Sequence, residues 1–312
     1  MAVSVAEYLG QRTDILQPLI LPASIPENPG DNVAVCPFTS GNQCKKLKSK
    51  NEPVCSVRKS DGTLWINCSD RLCATKKDIP LCEHQKDVLL DIARHVFSPQ
   101  ILPEEICVKR EVRLSVTDGT EYNADYILST NTGRSIYAGP DRLILEMQGG
   151  GETSNTGAQT RHIRNWRDNN LRTNALLREE TAASTLETNA WRRQQEQFIV
   201  KGNIAMKTWK GYGIAFCVGT LLFDYLMDKL RNANLPDLRR HNWTLALIAI
   251  KENTEQPHQQ GPIPLCVDET RMLFTNYQTF VQALINQGEP SPEAFRGDFV
   301  NLNNEVVNIP NN

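Results

Sequence analysis

Two acidic residues, Asp125 and Glu146, stand in segments that predict neighbouring β-strands and that could together hold a metal ion. Side chains alternate in direction along a strand, so Glu146 and Gln148 in "DRLILEMQ" share one face. On the strand before it, "EYNADYIL", Asp125 shares a face with Glu121. If the two strands are neighbours, Asp125 and Glu146 approach to about 5 Å. Carboxylates at that distance repel each other unless they bind a cation, and oxygen ligands suit Mg²⁺.

The simpler alternative is that the two acids are separate, solvated residues on exposed strand faces. Three glycines, residues 149–151, follow Gln148 directly and would leave the backbone open to close approach by a ligand. A merely solvated strand end does not require them. We therefore predict that Asp125 and Glu146 bind Mg²⁺ and that Glu121 helps to bind a second ion. Gln148 carries no charge and could act only through hydrogen bonds.

A second group of candidate metal ligands lies near the amino terminus, where a polar stretch holds four of the nine cysteines. Thiolates in fours imply tetrahedral Zn²⁺ or Fe. The intervening loops would be held together by the ion, which would supply folding energy that this part otherwise lacks. The four cysteines are Cys36, Cys44, Cys55 and Cys68. Cys73 and Cys82 compete for the fourth position, and free thiols are the alternative.

The elements that must position these residues begin near residue 85, where polar, Pro- and Cys-containing sequence gives way to periodic segments. We predict an amino-terminal metal-binding module at 1–84 and a second domain at 85–312. In the second domain, a helix at 84–97 precedes two strands joined by Asp118-Gly119, a favoured hairpin turn. The strand 141–147 follows, and then an amphipathic helix from Trp191 to Trp209. A buried strand, a helix, another strand and a closing helix at 271–286 complete an α/β (α+β) layered fold with mixed strand directions.

The acidic motif resembles a known family. The pattern from Asp125 to Glu146-Met147-Gln148 resembles the PD-(D/E)XK nuclease signature, with glutamine in place of the usual lysine. Together with "CPF", three further cysteines, "WINCSDRL" and "LILEMQ", it is similar to the NotI type of restriction endonuclease over roughly residues 30–290. The resemblance implies a mixed central sheet flanked by helices, with Cys36, Cys44, Cys55 and Cys68 as the ligands of a structural Zn²⁺ or Fe.

The same resemblance implies an activity. It is the Mg²⁺-dependent hydrolysis of phosphodiester bonds at a palindromic, GC-containing site in double-stranded DNA, with a 5′ stagger. Asp125, Glu146 and Gln148 would be the catalytic residues, helped by Glu121. Cutting both strands needs two active centres, which a two-fold homodimer supplies.

Two basic stretches could contact DNA. Lys45 and Lys46, in a lysine run that continues to Lys50, are predicted to bind phosphate, although such a run is also an ordinary solvated surface. The polar stretch 151–174 combines Arg, Asn and Gln, the residues that read bases in the major groove. Its candidate DNA contacts are Arg161, Arg164, Asn165 and Arg167. An exposed loop followed by the start of a helix is the alternative there.

Composition limits the remaining possibilities. The net charge of −2 excludes a global positive field, so DNA would have to be held by local basic patches. No apolar run approaches the roughly 20 residues that cross a bilayer, and the amino terminus does not resemble a secretory signal. We expect a cytoplasmic protein with reduced thiols and no membrane partner. Two rival functions remain: a non-specific, repair or nicking nuclease of the same fold, and a non-enzymatic DNA-binding regulator built on the metal module.

Overall fold

The computed structural model describes residues 2–15, 35–39, 43–48, 52–72, 79–131, 137–151, 153–169, 176–208, 212–256, 259–286 and 297–308. In the amino-terminal part, the described residues form a small sheet with the strand order β2-β1-β3-β4, accompanied by one short helix. The elements are β1 Val3–Tyr8, β2 Gln11–Arg12, α1 Lys45–Lys48, β3 Val54–Lys59 and β4 Leu64–Ile66. This sheet is antiparallel. The sequence interpretation missed it because these strands are short and mostly buried, so they show little alternation of apolar and polar residues.

The rest of the chain is built on a larger mixed sheet. Its elements are α2 Glu83–Val96, β5 Ile106–Ser115, β6 Glu121–Thr130, β7 Arg142–Gln148, α3 Thr156–Asn169, α4 Glu187–Thr208, β8 Tyr212–Gly219, α5 Thr220–Lys229, β9 Leu245–Glu252, β10 Leu265–Thr275 and α6 Tyr277–Ile285. A hairpin of β11 Asp298–Val300 and β12 Val306–Asn308 ends the described chain. No described helix has both the length and the apolar character that crossing a membrane requires.

The six strands of this sheet are ordered β10-β9-β8-β7-β6-β5. The β5–β6 and β6–β7 pairs are antiparallel, β7–β8 and β8–β9 are parallel, and β9–β10 is antiparallel. The predicted turn at Asp118-Gly119 joins β5 to β6, where Gly119 has a φ of +87°. The predicted α/β layered fold with mixed strand directions is therefore confirmed.

Hydrophobic clusters cover both faces of the sheet. Helix α2 supplies Ile92 to a cluster that contains Leu145 of β7, whereas α4 and α6 supply Phe198 and Phe280 to a cluster that contains Phe216 of β8. The Phe198 and Phe216 rings lie 4.5 Å apart. Residues of the amino-terminal sheet enter both clusters, so the 1–84 and 85–312 parts share their cores; the boundary between them stays a prediction.

The closing helix was predicted too long. Residues Arg271 to Thr275 belong to β10, and α6 begins only at Tyr277. Asn276 is the N-cap, and its side-chain oxygen accepts hydrogen bonds from the backbone N–H groups of Gln278 and Thr279. An asparagine followed by a helical apolar pattern was the signal for this boundary.

Candidate active site

Asp125 and Glu146 lie on adjoining strands, as the sequence interpretation expected. Tyr126 is opposite Leu145 in the β6–β7 pair, and the register continued by one residue places Asp125 opposite Glu146. Oδ2 of Asp125 accepts a hydrogen bond of 2.9 Å from the backbone N–H of Met147, so its side chain reaches across to β7. The strand geometry thus brings two carboxylates to one place on the sheet.

The Glu146 carboxyl group is buried, with only 3% of the residue exposed. Its Oε2 accepts a hydrogen bond of 2.6 Å from Nζ of Lys201, whereas Oε1 is buried without a hydrogen-bond partner among the described residues. Burial first, and then the negative charge of Asp125, raises the pKa of Glu146 to about 8, against the opposing effect of Lys201. A buried carboxylate oxygen that has no donor and lies near a second carboxylate is the environment that a divalent cation would stabilise. The two acids therefore fit Mg²⁺.

Lys201, which the sequence interpretation missed, is the third member of this cluster. It lies on α4, three residues after Phe198 and next to Gly202, on the buried face of the helix. Its side chain is 1% exposed, which a lysine tolerates only with a partner. A lysine at a buried position of the amphipathic stripe was the available signal.

Gln148 shares the face of Glu146 but makes a neutral contact: its Oε1 accepts a hydrogen bond of 2.9 Å from Nε2 of Gln194 on α4. A cleft of about 240 Å³ lies beside it, lined by Asn67, Ser69 and Arg193 as well as by both glutamines. Gln148 thus faces solvent-accessible space next to the acidic pair.

The three glycines after Gln148 have a packing role that the sequence interpretation did not foresee. A Cβ atom on Gly149 would lie 2.5 Å from Ile66, and one on Gly150 would lie 2.5 Å from the Trp65 ring. Gly151 has a φ of +104°, and its N–H donates to the carbonyl of Ile66. The glycines therefore let β4 pack against the chain that leaves β7, a reason for them that requires no ligand.

Glu121 is not brought to the acidic pair. It precedes Asp125 by four residues along β6, a separation of roughly 13 Å at the rise of a strand. Its exposed carboxylate lies 3.3 Å from Arg113 instead. The proposed part of Glu121 in binding a second ion has no support in this geometry, because sharing a face does not bring residues together along a strand.

The four cysteines lie in the amino-terminal part of the fold. Cys36, Cys44 and Cys55 are buried, Cys68 is partly buried, and all four contact one hydrophobic cluster. Burial raises the pKa values of Cys36, Cys55 and Cys68, and neighbouring cysteines add to the effect. Gly10 donates its N–H to Sγ of Cys55 at 3.2 Å, a contact that would favour a thiolate.

Within the described ranges, however, no three Cys, His, Asp or Glu side chains lie close enough together to hold a metal ion. The thiols are of the right kind for Zn²⁺ or Fe, but the described groups do not form a complete ligand set. The four-cysteine site therefore stays a prediction. Of the two competing cysteines, Cys82 is the N-cap of α2 and Cys73 lies outside the described residues.

The predicted phosphate-binding lysines contact the protein itself. Nζ of Lys45 lies 2.9 Å from the buried carboxylate of Asp70, although 61% of the lysine side chain is exposed. Nζ of Lys46 donates to the carbonyl of Val54 at 2.7 Å. Lys50 lies outside the described residues. A role in binding DNA would have to compete with these contacts.

The polar stretch after β7 is largely the helix α3 rather than a loop. Ile163 and Trp166 are buried, whereas Arg161, Arg164 and Asn165 are exposed on the same helix. Nε of Arg164 lies 3.5 Å from the buried carboxylate of Glu52. Arg167 belongs to α3, but its side chain lies outside the described part of the chain. Three of the four candidate base contacts therefore project from one exposed helix surface.

Compared with models of protein families and with curated proteins, the chain matches none.

Proposed function

We propose that this chain is a Mg²⁺-dependent site-specific endonuclease of the PD-(D/E)XK fold that hydrolyses phosphodiester bonds in double-stranded DNA. One observation carries the proposal: Glu146 is buried opposite Asp125, with one carboxylate oxygen on Lys201 and the other without a hydrogen-bond partner in the described part of the chain. Two acids on a mixed sheet with a lysine beside them are the residue types that this fold uses for phosphodiester hydrolysis.

The sheet supports the same conclusion. The acids lie on an antiparallel pair, β6–β7, and the chain then passes through α3 and α4 before it returns as β8, parallel to β7. This agrees with the arrangement that the family resemblance implies. Helix α4 carries Lys201 back over the end of β7, so the lysine is supplied by the crossover and not by the strand.

In this proposal Asp125 and Glu146 hold Mg²⁺, which would supply Lewis-acid polarisation of the scissile phosphate and a lowered pKa for the attacking water. Negative charge grows on the phosphate oxygens as the attacking water adds. The ammonium group of Lys201, fixed 2.6 Å from Glu146 and buried, would stabilise that charge through its electric field and not by a direct hydrogen bond. Gln148, held by Gln194, orients water or phosphate through hydrogen bonds. Lys201 thus takes the electrostatic role that a glutamine at position 148 leaves open.

DNA contacts are assigned to the exposed surface of α3 with Arg161, Arg164 and Asn165, and to Arg193 in the cleft beside Gln148. Lys45 and Lys46 stay secondary candidates because their ammonium groups already have partners inside the protein. The symmetric cutting of two strands implies a homodimer acting on a palindrome.

The experiment is to incubate the purified protein with phage DNA and Mg²⁺ and to sequence the fragment ends. We expect discrete fragments that share one short palindromic sequence. Asp125→Asn is the variant that tests the site, since its amide oxygen can still accept the hydrogen bond from Met147 but carries no charge. It should retain DNA binding in Ca²⁺ and lose cleavage. Cleavage by Asp125→Asn equal to that of the wild type would refute the assignment of the site.

The same digestion separates the rival functions. Smears or nicked plasmid would indicate a non-specific or nicking nuclease of this fold, and a gel shift with no strand scission in Mg²⁺ would indicate a DNA-binding regulator.

A further inference from the structure

A second cavity, of about 400 Å³, lies next to the cleft beside Gln148 and shares Asn67 and Gly151 with it. Its other polar lining includes Glu52, Thr153, Thr156 and Gln159. The cavity lies between the amino-terminal sheet and the first turns of α3. We call it the amide pocket. Its size is within the range of small-molecule sites.

Three side-chain atoms in this pocket are buried and make no hydrogen bond among the described residues: Oδ1 of Asn67, Oγ1 of Thr153 and Nε2 of Gln159. Thr153 and Gln159 are each only 4% exposed. Burying a polar group without a partner is unfavourable, and folded proteins keep few such groups. Three of them around one cavity indicate a ligand that supplies the missing partners.

The chemistry of the lining restricts that ligand. Lys46 and Glu52 both line the pocket, so its lining carries no net charge and does not favour a phosphate or another anion. Asn67 Oδ1 and the Glu52 carboxylate are acceptors, and Gln159 Nε2 is a donor. The ligand that complements this lining is an uncharged group that carries an amine beside a ring acceptor. In duplex DNA adenine presents such an edge in the major groove, its exocyclic amino group with N7 beside it, whereas cytosine presents only its amino group because its ring nitrogen pairs with guanine.

We propose that the amide pocket reads the amino-bearing major-groove edge of an adenine next to the cleaved phosphate. The inference rests on the proposed function. Asn67 accepts from the exocyclic amino group, and Gln159 donates to the ring nitrogen. Gly151 and Asn67 connect the pocket to the cleft that contains Gln148, so the base that is read lies close to the scissile bond.

The test compares the cleavage-site profiles of the wild type and Gln159→Met on phage DNA and on a library of randomised duplexes. Methionine keeps the volume of the side chain and removes its hydrogen bonds. We expect discrimination at one base position to fall roughly ten- to a hundred-fold, with the other positions unchanged. Because Gln159 gives up no hydrogen bond made within the described residues, the melting temperature should stay the same or rise. Gln100→Met, at an exposed glutamine, is the matched control and should change neither profile nor stability.

Asn67→Leu, which removes the acceptor for the exocyclic amino group, gives the same readout if Gln159→Met does not fold. Duplexes carrying N6-methyladenine at the affected position should then resist the wild type, since the modification blocks the amino group that is read. If the wild type cuts specifically and the variant has the same cleavage-site profile, the pocket holds ordered water only. That result would overturn this inference but not the proposed function. A wild type that does not cut DNA would overturn the proposed function and this inference together.

Discussion

Lys201→Met is the most informative perturbation of the candidate site. It replaces the ammonium group that lies 2.6 Å from Glu146 with an uncharged side chain of similar length. Both partners are buried, with 1% and 4% of their side chains exposed, so solvent screens the pair very little. Removing one partner of a buried ion pair costs about 3 to 5 kcal/mol of folding free energy when the remaining group stays charged, but Glu146, whose pKa is raised to about 8, offsets part of that cost by taking up a proton. At roughly 2 °C per kcal/mol, the melting temperature should fall by at most about 6 to 10 °C.

A second substitution should recover part of the stability that Lys201→Met loses. Glu146 without Lys201 is a buried carboxylate beside Asp125, and a second change, Glu146→Gln, removes its charge. We therefore expect Lys201→Met/Glu146→Gln to recover part of the lost melting temperature. Neither variant should cleave DNA at the wild-type rate, so stability and activity separate in the double variant.

Cleavage should be measured in single turnover with saturating DNA and Mg²⁺. Removing one preorganised group that stabilises a developing charge typically costs about 10²- to 10³-fold in rate, and we expect a loss of that size for Lys201→Met. Lys207→Met, at an exposed lysine on the same helix, is the matched control and should leave both rate and melting temperature unchanged. If Lys201→Met cleaves at the wild-type rate, Lys201 has no part in the reaction.

Three further predictions test other parts of the structure. Glu121→Gln should leave the single-turnover rate unchanged because Glu121 pairs with Arg113 at the exposed end of β6, whereas Glu146→Gln should abolish cleavage. A large fall in the rate of Glu121→Gln would show that Glu121 belongs to the site. Elemental analysis should find one Zn or Fe per chain, lost in Cys55→Ser but retained in Cys107→Ser, where the cysteine is exposed; metal-free purified protein would contradict the four-cysteine site. Burial, with the charge of Arg71, lowers the pKa of His84 to about 2, so native His84 stays neutral while the unfolded chain takes up a proton below about pH 6.5. His84 should therefore lower the free energy of unfolding by about 2 kcal/mol when the pH falls from 7.5 to 5. Chemical denaturation at both pH values should show a fall in stability that is smaller by this amount in His84→Gln than in the wild type. An equal pH dependence in the two proteins would refute the assignment.

The fold of the second part could be predicted wherever the periodicity was strong. Strand β7, the β5–β6 hairpin and the helix that carries Trp191 and Phe198 each show a regular apolar pattern, and the structure contains all three. The amino-terminal sheet could not be predicted this way, because its strands are buried on both faces and its cysteines and lysines suggested an irregular module. Strand β10 was missed because it bulges between Val267 and Met272, which interrupts the alternation along its length.

The acidic pair could be predicted because its geometry depends on one register, that of two adjacent strands. For Lys201 the sequence offers only a lysine at the edge of the apolar stripe of α4, because its pairing with Glu146 depends on how a 22-residue helix packs on the sheet, and no local pattern specifies that packing. A glutamine at position 148 suggests a site without a cation when the motif is considered by itself. The structure instead places an ammonium group on Glu146 from 55 residues away in the chain. A positive charge beside Glu146 can thus be supplied by any element that packs over β7, so the residue type at position 148 alone does not determine the electrostatics of this site.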